Sequence, residues 1–191
     1  MTKKIAITGG IGSGKSTVCN ILKKEGFDVF SCDEIYRELI NEPSYIEKIA
    51  TLFPACIVNG KIDKHTLAQT VFSDKQQREK LNAIAHPLIM QTLFHKMENC
   101  KKTSFAEVPL LFEGNYQDLF DEILIITRPK KDRLQSVIER DNLTSQEAES
   151  RMSAQIDYSD ESFLKKYHVI SNDGNQESLS AAVLNYLKNL S

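Results

Sequence analysis

The chain has 191 residues, 41% hydrophobic and 26% charged, enough to bury one substantial core with a small appended lobe. A formal net charge of -2 excludes a global electrostatic attraction to nucleic acid or to an anionic membrane. The four cysteines, Cys19, Cys32, Cys56 and Cys100, show no CxxC spacing, which excludes a recognisable zinc site or disulfide framework and suggests free thiols in a reducing cytoplasm.

The first candidate element is Lys4–Thr8, an apolar run of strand length that is too short for an export signal and leads straight into glycines. No stretch approaches the length of a membrane span, so a cytoplasmic location is expected. Gly9-Gly10-Ile11-Gly12-Ser13-Gly14-Lys15-Ser16-Thr17 then satisfies G-x-x-x-x-G-K-[ST] between that strand and a helical pattern. Its glycines allow a tight turn with inward-pointing amides, so anionic oxygens meet several N–H donors and the positive end of the helix. Gly10, Ile11, Gly12, Ser13, Gly14, Lys15, Ser16 and Thr17 are therefore candidate nucleotide-binding residues. Lys15 should reach the β- and γ-phosphates of ATP, and the Ser16 hydroxyl should ligate Mg²⁺. The loop alone leaves open a nucleotide-driven switch or motor as well as a kinase.

The helix Ser16–Glu25 sets Val18, Ile21 and Leu22 on one face and stops at Gly26, a natural C-cap. A second strand follows at Asp28–Ser31. Asp33 then opens the pattern Asp33–Ile40, where a short carboxylate reads as an N-cap. In a doubly wound sheet it also faces the crevice at the carboxyl ends of the strands, where it can orient an acceptor hydroxyl and take its proton. Between the second and third strands lie about seventy residues, far more than one crossover requires, and they read as helical throughout. Ser44-x-x-Glu47 and Ser73-x-x-Gln76 fit capping boxes, while Pro43, Pro54, Asn59-Gly60 and Pro87 predict several short helices, not one long one.

Further strands are predicted at Ser104–Val108, Glu122–Thr127 and Tyr167–Ser171. The pattern is α/β, a doubly wound parallel five-stranded sheet with two insertions. The second insertion, Arg128 to Lys166, has a capping box at Thr144-x-x-Glu147 and carries Arg128, Arg133, Arg140 and Arg151, four of the chain's six arginines. Singly these read as surface charge; together beside a phosphate site they suggest an arginine-bearing lid. No guanine-reading Asn-Lys-x-Asp is present, and a helical lobe plus a lid is the layout of small-molecule kinases.

In order along the chain, Thr8 to Thr17, Asp33, Leu81-Asn82-Ala83-Ile84-Ala85-His86-Pro87-Leu88-Ile89, Val108-Pro109-Leu110-Leu111-Phe112-Glu113, Arg140-Asp141, Arg151-Met152-x-Ala154-Gln155 and Val169-Ile170-x-Asn172-Asp173-Gly174 resemble the dephospho-CoA kinases. The resemblance covers essentially the whole chain. It implies transfer of phosphate from Mg·ATP to the ribose 3′-hydroxyl of dephospho-CoA in the last step of coenzyme A synthesis. It divides a single P-loop kinase domain into a core (about 1–33, 103–127 and 167–191), an acceptor lobe (about 34–102) and a lid (about 128–166). It implies Asp33 as base, Lys15 and Arg140 as catalytic partners, and Asn172 beside the nucleotide. Asp33, His86, Leu111 and Glu113 would contact the acceptor, Val108 to Glu113 would end the third strand in the crevice, and Glu107 would assist Mg²⁺ through water. No nucleic-acid or membrane partner is expected, and a monomer is favoured. Relatives commonly carry aspartate where Ser31 and Ser171 stand, arginine at Lys64 and Ser136, and glutamine at Arg133.

Overall fold

The computed structural model describes residues 2–190, with Ser73 described by its backbone alone. In chain order the elements are β1 (Lys4–Thr8), α1 (Lys15–Lys24), β2 (Asp28–Ser31), α2 (Cys32–Leu39), α3 (Pro43–Leu52), β3 (Ile57–Val58), β4 (Lys61–Ile62), α4 (Lys64–Ser73) and α5 (Lys75–Glu98). There follow β5 (Ser104–Glu107), β6 (Glu122–Thr127), α6 (Lys130–Asp141), α7 (Ser145–Ser153), α8 (Glu161–Leu164), β7 (His168–Ser171) and α9 (Gln176–Lys188). The chain divides into two units, one running up to Val29 and resuming at Cys100, the other Phe30–Asn99.

Successive residues of β1 and β6 are buried, Ile5, Ala6, Ile7, Leu124, Ile125 and Ile126 all completely. Because alternate side chains point to opposite faces, only a sheet covered on both sides satisfies such runs. They form the centre of a five-stranded parallel sheet in the order β2-β5-β1-β6-β7. Ile5, Ile7, Phe105, Leu124, Ile126 and Ile170 share one core with Val18, Cys19 and Leu22 of α1 and Leu179, Val183 and Tyr186 of α9. Phe27 meets Phe105 edge-to-face at 5.3 Å.

In the second unit, α5 packs against α2 and α4. Two sequence expectations fail here. The segment is not helical throughout: β3 and β4 pair antiparallel across Asn59 and Gly60, which take φ of 51° and 73°. An Asn-Gly turn with both angles positive matches the twist of the flanking strands, so a signal read as punctuation was a hairpin. Nor does Pro87 end a helix. The helix α5 runs for 24 residues with Pro87 inside it. Leu81, Ala85, Ile89, Leu93 and Met97 are buried at every fourth position across the proline. An interior proline costs about 3 kcal/mol, and burying several large side chains at about 1.5–3 kcal/mol each outweighs it.

The caps also differ from expectation. Thr144 and Glu147 form the predicted capping box of α7. Ser44 caps nothing, since Pro43 already occupies the first turn of α3 behind Glu42. Asp74 caps α5 by accepting from the Gln76 and Gln77 amides, while the Ser73 side chain lies outside what is described. At α2 the cap is Ser31, which accepts from Glu34 N at 3.5 Å, and not Asp33.

Candidate active site

From Thr8 the chain turns through Gly9 to Gly14 into α1. Gly9 and Gly14 take φ of 141° and 96°, a region open to glycine and strained for other residues. A Cβ on Gly9 would stand 2.2 Å from Ile126 O, and one on Gly14 2.3 Å from Asn172 Nδ2. Gly14 is also the N-cap of α1, whose first turn has neither a side-chain cap nor an acid. Its amides and positive pole are thus available to an anion. Ser13 Oγ is buried in the loop and has no hydrogen-bond partner among the described residues, an atom that a phosphate oxygen would satisfy.

Lys15 is buried, and its Nζ donates to Gly9 O at 2.8 Å and Gly10 O at 3.2 Å. Ser16 Oγ donates to Glu107 Oε1 at 3.3 Å, where β5 ends. Cys19, on the same face of α1, donates through Sγ to Glu107 Oε2 at 3.7 Å. Burial, with the Glu107 charge second, pushes the Cys19 thiol well above its ordinary range, so it stays a protonated donor. A hydroxyl beside a carboxylate offers the hard oxygen atoms that Mg²⁺ prefers. Among the described residues no three or more His, Cys, Asp or Glu side chains gather as a metal cage. Mg²⁺ held at Ser16 would therefore take most of its ligands from phosphate oxygens and water.

The loop is braced from several segments of its own unit. Asn172 Nδ2 donates to Ser13 O at 2.9 Å, and its Oδ1 accepts from Gly174 N at 3.0 Å. Gln155 Oε1 accepts from Ile11 N at 2.6 Å. Tyr158 OH and Thr8 Oγ1 share a hydrogen bond of 3.3 Å, and burial pushes the Tyr158 hydroxyl up to about 12. Arg128 Nη1 donates to Ser136 Oγ at 2.8 Å and to Gly12 O at 3.4 Å. Arg140 makes a two-pronged pair with Asp141, at 2.7 and 3.0 Å, and Arg151 reaches the same carboxylate at 3.2 Å. Those contacts, the Arg140 hydrogen bond foremost, hold the Asp141 carboxyl below its ordinary range.

A phosphate loop alone does not choose among kinases, but comparison over the whole chain does. Residues 3–178 match the family model for dephospho-CoA kinase. The dephospho-CoA kinase of Geobacillus kaustophilus is 34% identical, the alignment covering 98% of this chain and 96% of that protein. The chain belongs to the dephospho-CoA kinase family. A crystal structure from Thermus thermophilus superposes with a TM-score of 0.85 at 32% identity, covering 100% of this chain and 98% of that one. The Campylobacter jejuni dephospho-CoA kinase gives 0.68 at 26% identity, again covering 100% and 98%.

Not every residue that the dephospho-CoA kinase resemblance singled out joins this loop. Glu113 was expected in the crevice at the end of a strand, but β5 stops at Glu107 and Glu113 is exposed, its Oε1 accepting from Ile156 N at 3.0 Å. Leu111 is completely buried, so its side chain supports that turn and presents no surface. Asp33 and His86 lie in the other unit. Asp33 is exposed in the first turn of α2. His86 is half-buried in mid-α5, not at a helix end, and burial lowers its pKa. Sequence reasoning gave no role to Gln155, though it stood in a quoted motif, and missed Tyr158. The available signal for Tyr158 was the aromatic spacing Tyr158, Phe163, Tyr167 in a charged insertion; Phe163 lies 6.4 Å from Tyr158 and 5.3 Å from Tyr167.

Proposed function

We propose that this chain transfers the γ-phosphoryl group of ATP to the ribose 3′-hydroxyl of dephospho-CoA, giving CoA and ADP, the last step of coenzyme A synthesis. The observation that carries the reading is the phosphate loop, closed on Ile126 and Asn172 so tightly that no side chain fits at Gly9 or Gly14, in a chain that matches the dephospho-CoA kinase family almost end to end. The loop residues Gly10 to Thr17 hold the phosphates, and Asn172 keeps the loop in shape through Ser13. Ser16, with Glu107 behind it, would hold Mg²⁺, which would supply charge neutralisation at the transferring phosphoryl.

Lys15 exchanges its bonds to Gly9 and Gly10 for phosphate oxygens as charge develops. Arg140 serves the transition state after leaving Asp141. Asp33 orients the acceptor hydroxyl and takes its proton while the oxygen bonds to phosphorus and ADP departs. Two facts support Asp33: it follows the carboxyl end of β2, and Ser31 does the capping, which leaves the Asp33 carboxylate for chemistry. Residues 34–102 form the acceptor lobe, with His86 contacting the acceptor, and residues 128–166 form the lid. Glu113 meets the acceptor and Leu111 shapes its side of the site. The enzyme acts as a cytoplasmic monomer; among the described residues no helix is long and apolar enough to cross a membrane.

Asp33→Asn tests the assignment. Turnover should fall by a factor of about 100 or more while Mg·ATP affinity stays within about threefold, because general-base loss acts on the chemical step. Near-normal turnover would remove Asp33 from the catalytic role.

A further inference from the structure

Two positive charges beside the phosphate loop have no carboxylate in direct contact among the described residues. Among the described residues the Nε atoms of Arg128 and Arg133, both sealed from solvent, have no hydrogen-bond partner. Among the described residues neither guanidinium has a carboxylate at ion-pair distance, whereas Arg140 and Arg151 are both balanced on Asp141. Arg133 senses Asp157 and Tyr158 only at longer range, and burial draws its pKa down. Sealing off a charged group's donor without an acceptor is costly, so a structure that does it twice at one place calls for an anion.

Both arginines pack against the phosphate loop. Arg133 sits in the first turn of α6 and packs on the loop with both backbone and side chain. A Cβ on Gly12 would come within 2.6 Å of Arg133 O, and one on Gly10 within 2.3 Å of Arg133 Nη1. Val137, one turn further, is completely buried and fixes the helix there. Arg128 follows β6, donates to Gly12 O and Ser136 Oγ, and has Nη2 3.7 Å from where a Cβ of Gly174 would stand. Those two neutral oxygens occupy few of the five donors a guanidinium carries. The loop beneath already presents Lys15, uncapped helix amides and the unpartnered Ser13 hydroxyl.

We infer that Arg128 and Arg133 form a standing two-arginine clamp for the phosphate oxygens of the nucleoside triphosphate, built into the base of the second insertion and separate from Arg140. The inference rests on the reading of the loop as an ATP site. Planar guanidinium groups suit it because they meet phosphate with paired, charge-assisted hydrogen bonds.

The test uses uniformly ¹⁵N-labelled wild-type protein, titrated with Mg·ATP and, separately, adenosine. The spectra of Arg128→Gln and Arg133→Gln assign the two Nε–H signals. Both signals should move on Mg·ATP and stay put with adenosine, while that of exposed Arg78 does not respond. In parallel, Arg133→Gln should weaken Mg·ATP binding about tenfold or more, with Arg133→Lys intermediate. Backbone amides of Gly12 and Lys15 that shift with Mg·ATP while neither Nε–H moves, or wild-type affinity in both glutamine variants, would overturn the clamp and leave the ATP site intact. A wild-type protein that shows no response to Mg·ATP would overturn the ATP reading itself, and the clamp with it.

Discussion

At position 14 the backbone angle and the neighbouring atoms both demand glycine. A side chain there would be strained at φ 96° and would push Asn172 Nδ2 off Ser13 O, since the added Cβ would stand 2.3 Å from Asn172 Nδ2. Gly14→Ala should destabilise the protein by about 1–3 kcal/mol and abolish tight Mg·ATP binding. Denaturant midpoint and nucleotide titration check this, and unchanged values in both would show that Asn172 yields without cost. This residue was legible in the sequence because the loop pattern encodes a backbone shape that only small residues permit. Asp33 was legible only by position. Its capping alternative was decided by Ser31, a neighbour whose side chain fills the same local need. Arg128 and Arg133 were visible as part of an arginine concentration. Their packing on Gly10, Gly12 and Gly174 was not, because it depends on how β6 and α6 meet the loop in three dimensions.

Among the elements, those with a strong local period were read well. All five strand runs of the parallel sheet and α1 came within a residue of their observed bounds, since fully apolar runs and a single buried stripe leave few alternatives. The failures were in the second unit. A proline weighed more in the reading than the four-residue stripe Leu81, Ala85, Ile89, Leu93, Met97 on either side of it. The two-residue strands β3 and β4 were too short to show a period. The segment after α7 rests on Tyr158, which is buried and tied to Thr8 where the phosphate loop begins. Its hydroxyl is raised to about 12 by burial, against an ordinary value of about 10. The folded state therefore holds this proton more tightly than the unfolded chain. The stabilisation is complete below about pH 10 and is lost as pH rises toward about 12. Tyr158→Phe should flatten stability against pH over that alkaline window and cost about 1 kcal/mol at neutral pH. Denaturation series at pH 8, 10 and 11 check it; an unchanged alkaline slope would mean that other tyrosines, such as the raised Tyr36, carry the effect.

For the whole molecule, the parallel sheet explains why one end collects the chemistry. The loop after β1, Glu107 at the end of β5, Arg128 after β6 and Asn172 after β7 are all brought together by strands running the same way. Architecture was readable from alternating apolar and helical patterns, but the choice of acceptor was not. That came from the ordered set of motifs and from the family match over residues 3–178. The most direct test is ADP release by purified protein with Mg·ATP and dephospho-CoA, run beside nucleoside monophosphates and sugars, with the product identified by chromatography. Stoichiometric coenzyme A and ADP, formed only with dephospho-CoA, is the expected result; ADP release with a different acceptor, or with none, would contradict the assignment.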